Sequence, residues 1–207
     1  MDTSAKLHLV YAVDCEPLAA KSPACGGPES WAVSEKAIRR YGDIFRSRNM
    51  MTALNFHTTP EAGHAHRNLL MELHDEGADL ALQLNVPGFR YPQYEHDLGF
   101  YDYDDQKQIL TEATEEFADT FGFAPQTYTA CCGSKNKHTY PLLMELGYKQ
   151  TRTPVTGRYF PDRPDRCTLG SFPFPHWASL QHPLVAGNAP LLVVPGTGEL
   201  AFERGRR

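Results

Sequence analysis

Apolar positions along this chain recur with two periods, every second residue in some stretches and every third or fourth in others, and the alternation between them sets out the elements. Leu80, Leu82 and Leu84 alternate with Asp79, Ala81, Gln83 and Asn85, which predicts a strand that stops at Pro87-Gly88. Leu7 to Val13 is a near-continuous apolar run of the kind expected of a strand covered on both faces, and Met50 to Phe56 reads as a second strand ending at His57. Between these two, Trp31, Ala37, Ile38, Tyr41, Ile44 and Phe45 fall on one face of a helix. Thr58-Thr-Pro-Glu61 carries a capping hydroxyl, an early proline and an early acid, so a helix should start there and run to about Gly77. Leu110, Ala113, Phe117 and Phe121 predict a helix capped by Asp104 or Asp105 and stopped by Gly122. A short strand at 126–130, a helix over 134–146, and strands at 148–151 and 191–194 complete the pattern. Strand and helix alternate over most of the chain, as in a parallel sheet or (β/α) barrel.

Two long segments break the alternation. Residues 17–30 are rich in proline, glycine and alanine and long for a structureless connection, and 86–105 carries six aromatics among acidic residues. Those rings could stack on a sugar, although loop aromatics more often anchor a loop to the wall behind it.

At 207 residues the chain suits a single domain spanning 1–207. Its formal net charge of −5 gives no electrostatic reason to expect a nucleic acid or an anionic membrane, and the basic cluster at 204–207 reads as a solvated tail. There is no long apolar run and no leader-like N-terminus, so a cytoplasmic location is expected. Five cysteines without C-x-x-C spacing argue for free thiols and against a structural zinc site. His64 and His66 read as surface residues, and at least one of Cys131 and Cys132 as a small buried hydrophobe.

In parallel α/β folds the site lies at the carboxyl ends of the strands. Those ends carry Asp14 and Glu16, Asn55 and His57, Gln83 and Asn85, and Thr129 and Cys131, each pair two residues apart and therefore facing one way on an extended chain. Several polar pairs converging on one rim point to a site. Asp14, Glu16 and His57 are candidate donors to a divalent ion, whereas the amides suit hydrogen bonds to a sugar better than transition-metal ligation.

With these segments placed, the chain resembles the polysaccharide deacetylase (NodB-homology) family. "YAVDCE" is similar to the motif in which an aspartate base precedes a metal-binding aspartate; Asp14 matches the base, Cys15 occupies the ligand position, and Glu16 is the available substitute. "GADLALQLNVP" falls where two metal-binding histidines are usual and has Gln83 and Pro87 instead. "FAPQTYTACCGSKNKHTYPLLMELGY" resembles a later motif, with Thr129 in place of the arginine that positions the base. The resemblance implies a distorted (β/α) barrel, here without its last elements. It also implies a divalent metal cofactor held by Glu16 and His57, with Asp14 as general base. Gln83, Asn85, Asn55 and Thr129 would then hold a carbohydrate or acylated small-molecule substrate.

Two functions follow. One is a metal-dependent hydrolase acting on an acetyl ester or non-peptide C–N bond. The alternative is a catalytically inactive barrel that binds a saccharide or another polar small molecule. An incomplete barrel would leave apolar strand edges for a partner subunit to cover, so a homo-oligomer is expected.

Overall fold

The structure is a computed structural model and describes residues 8–21, 26–87, 89, 93–153 and 156–197. Seven strands form one sheet: β1 (Tyr11–Cys15), β2 (Leu54–Thr58), β3 (Asp79–Leu84), β4 (Thr127–Ala130), β5 (Gln150–Thr153), β6 (His176–Ala178) and β7 (Ala189–Pro195). Their spatial order is β1-β2-β3-β4-β5-β7-β6, with every pairing parallel except that of β6 with β7. The helices are α1 (Trp31–Arg46), α2 (Pro60–Ala65), α3 (Arg67–Asp75), α4 (Tyr103–Phe121) and α5 (Thr139–Glu145).

From β1 to β5 each parallel step moves one place in the same direction. Right-handed crossovers therefore put all the intervening helices on one face of the sheet. That face is the apolar core. Leu54, Phe56, Leu80, Leu82, Leu84 and Tyr128 from the strands meet Ile38, Leu70, Ile109, Phe117 and Leu142 from the helices, all essentially inaccessible. The alternate strand residues point to the opposite face, and these are the polar set.

Several boundaries differ from the sequence expectation for identifiable reasons. β1 begins at Tyr11; Leu9 and Val10 precede it and are exposed, because β1 ends the sheet and the apolar run is not covered on both sides. The helix expected over 60–77 is two, broken at His66, whose ψ of 16° leaves the helical region. Its start is as expected, with Thr59 capping Ala62 N and Pro60 in the first turn. His66 itself is buried against the Trp31 ring, which corrects the surface assignment, while His64 is exposed. The cap of α4 is Asp102, accepting from Asp105 N, and Gly122 at φ 86° ends the helix. α5 starts only at Thr139, since 131–133 forms a 3-10 turn. Cys131 is buried and Cys132 exposed, as expected of neighbours in sequence. The basic cluster at 204–207 lies outside the described residues.

Candidate functional site: a charged cluster on the polar face

Asp14 lies beside His57 in the β1–β2 register, His57 beside Ala81 in β2–β3, Gln83 beside Thr129 in β3–β4, and Thr129 beside Arg152 in β4–β5. All share the face turned away from the core.

Arg152 grips Asp14 with both fork nitrogens, each 3.1 Å from a different carboxylate oxygen. In a flat sheet β1 and β5 would be roughly 19 Å apart, four strand spacings, which the two side chains could not bridge. The sheet is therefore strongly curled, and its polar face is concave.

His57 sits at the floor, 1% exposed, with Nδ1 2.8 Å from Thr129 Oγ1 and 3.6 Å from Asp14 Oδ1. Its contact with Thr129 crosses β3, and the small Ala81 between them leaves room for it. Burial, reinforced by the Arg152 charge, pulls the imidazole pKa down to about 3, so His57 is neutral at ordinary pH. Its approach to Asp14 is consequently not an ion pair.

The other expected residues divide into two groups. Gln83 is buried and donates through Nε2 to Glu16 Oε1, while its Oε1 has no hydrogen-bond partner. This is why a buried strand ends in an amide: it holds a carboxylate brought by another strand's exit. Asn85 is buried just beyond β3. Asn55 lies one step below His57, where its Nδ2 donates to Asp79 Oδ2 at 3.1 Å, so it is not brought to the rim.

The donor set does not fit a divalent ion. Arg152 occupies both oxygens of Asp14, Thr129 engages His57 Nδ1, and Gln83 takes an oxygen of Glu16. Among the described residues no three His, Cys, Asp or Glu side chains converge as a metal site, and a guanidinium at the centre repels a cation. Glu16 and His57, the two expected metal ligands, are engaged here by Gln83 and Thr129.

Arg152 is the residue that the sequence reading missed. The position of the absent arginine is held by Thr129, and the guanidinium arrives instead from the next strand in register. A signal existed: Gln150 and Arg152 repeat the i, i+2 polar pair of the preceding strand ends.

Among solved structures the chain is similar to a Mycobacterium smegmatis protein assigned as a polysaccharide deacetylase, with a TM-score of 0.56 and 18% identity over 91% of this chain and 58% of that one. The fold is shared with that protein. A 4-alpha-glucanotransferase from Thermococcus litoralis matches with a TM-score of 0.53 at 12% identity, over 92% of this chain and 28% of that one. A Pseudomonas aeruginosa PAO1 protein assigned as a polysaccharide deacetylase matches at 0.49 and 15%, over 91% of this chain and 61% of that one. The chain therefore spans less than two thirds of the length of each of these structures. No family model and no curated relative matches it. Among the described residues no helix is long and apolar enough to cross a membrane.

Proposed function

We propose that this chain is a deacetylase-fold protein that binds a carbohydrate, or a similarly polar acylated small molecule, in a concave and barrel-like polar face without hydrolysing it. The observation that carries this reading is the buried Gln83 at the end of β3, which stands where the resembled family has a metal-binding histidine and whose Oε1 has no hydrogen-bond partner. The orphaned Gln83 Oε1 supplies a buried acceptor for a ligand hydroxyl or amide N–H. The names of the structural neighbours support the ligand class.

A second reading, hydrolysis of an acetyl ester or non-peptide C–N bond with Asp14 as base, draws on one observation: the Asp14 side chain remains 37% exposed beside the imidazole. Calorimetric titration with N-acetylglucosamine oligomers, alongside an acetate-release assay with and without added divalent ions, separates the two. Binding without acetate release is expected. Ion-dependent release that disappears in Asp14→Asn would overturn the binding reading in favour of the hydrolase.

A further inference from the structure

A second recess opens where the segment after β3, the turn after β4 and the segments at 164–167 and 181–184 meet. Its volume is about 560 Å3, and it shares no lining residue with the Asp14 cluster. Gly99 forms part of the wall: a Cβ there would stand 2.8 Å from Lys135 N, so only glycine lets the two segments lie this close.

Lys135 lines this recess although it is only 7% exposed. Its ammonium has one acceptor among the described residues, Gly133 O at 3.3 Å, and no carboxylate within ion-pair distance. The nearby acids are committed elsewhere. Asp165 is held by Arg163 at 3.0 Å and by the Ser134 hydroxyl, and Asp97 is held by Arg163 and Arg166. Burial draws the Lys135 pKa down to about 8, against the weaker opposing pull of Cys167 and Asp165. Lys137 and His182 stand on the same walls and are exposed. A buried amine with unused donors, in a recess whose acids are already spent, leaves a local positive excess on a chain of net charge −5.

We propose that this recess is a binding site for a compact oxyanion on a small molecule, a carboxylate or a phosphate, with Lys135 as its buried charge and Lys137 and His182 at its mouth. An oxyanion accepts the N–H groups that Gly133 leaves unused and neutralises the amine where water is excluded.

The test is calorimetric titration of the whole chain with inorganic phosphate, glucose 6-phosphate, glucuronate and uncharged glucose. At least one anion should bind where glucose does not. Binding of phosphate and glucose 6-phosphate alone identifies a phosphate site; binding of glucuronate identifies a carboxylate site. Lys135→Met keeps the aliphatic stem and should weaken the anion about tenfold or more, the loss expected of one charge-assisted hydrogen bond, without lowering the melting temperature. Lys107→Met, on the far ion pair with Glu145, should leave anion affinity unchanged. Should Lys135→Met fail to fold, His182→Ala and Lys137→Met carry the same expectation from exposed positions. Equal binding of glucose and the anions, no binding of any anion at millimolar concentration, or unchanged affinity in the Lys135, Lys137 and His182 variants would overturn the proposal.

Discussion

Protonating His57 places a charge on the floor of the concave face, away from water and facing a guanidinium. Its pKa is about 3 in the fold against an ordinary value of 6.5. Between these values the unfolded chain binds a proton that the folded chain refuses, so stability rises with pH and is lost on acidification across that window. Each tenfold change in proton activity is worth about 1.4 kcal/mol, so acidification from neutrality to about pH 4 should remove roughly 3 kcal/mol through this one group. That is a large share of the roughly 5–15 kcal/mol typical of a domain. Carboxylates add their own acid sensitivity, so the measurement is a comparison. Urea unfolding of the wild type and of His57→Gln should be followed at neutral pH and near pH 4. The variant is expected to be less stable at neutrality, yet to lose about 3 kcal/mol less on acidification. Parallel losses in the two proteins would show that His57 is not a buried neutral base.

Thr129→Val removes the hydroxyl bonded to His57 Nδ1 and leaves a buried nitrogen unpaired. It should destabilise by about 1–3 kcal/mol in urea unfolding. A double-mutant cycle of Asp14→Asn and Arg152→Met should give a coupling on the order of 1 kcal/mol, since both side chains are partly exposed, at 37% and 28%. No coupling would mean that the fork geometry is not populated in solution. Leu82→Ala, at a fully buried position facing the helices, should cost about 2–5 kcal/mol. Gly42→Ala would drive a Cβ to 2.5 Å from Leu73 Cδ2 where α1 crosses α3, and should lower the thermal midpoint by an amount reflecting about 1–3 kcal/mol.

The sheet was legible because its strands carry two messages at once. Leu80, Leu82 and Leu84 announce the helix-facing side, and Asp79, Gln83 and Asn85 the concave side, so one strand defines both layers. The same alternation located Asp14, His57, Gln83 and Thr129 on one face, and their register followed from the simple strand order. Pairing partners were not legible. Whether Asp14 would meet a metal, a substrate or a guanidinium depends on how far the sheet curls, and curl is a property of many strands rather than of one stretch. The role of β5 was hidden for a related reason: the expected strand stopped at 151, one residue short of the arginine that completes the cluster, and its polar pair Gln150 and Arg152 does not say which strand end it will meet. The break at His66 and the antiparallel β6 were likewise set by tertiary packing, since neither carries a proline or a run of turn residues at the position itself.

Three cross-strand contacts of the polar face also fall in a fixed order along the chain. Glu16–Gln83 joins residues 67 apart, His57–Thr129 residues 72 apart, and Asp14–Arg152 residues 138 apart. At a synthesis rate of about 5–20 residues per second, Arg152 follows Gln83 out of the ribosome by on the order of 10 s. During that interval the first four strands can pair and bury their leucines, because each lies beside its predecessor. Asp14, by contrast, waits without its counter-ion at the open edge of a growing sheet. The clamp closes only when the fifth strand docks, so it reports that step: a chain truncated before residue 150 and released from the ribosome would hold His57 and Thr129 together while leaving Asp14 without its guanidinium partner.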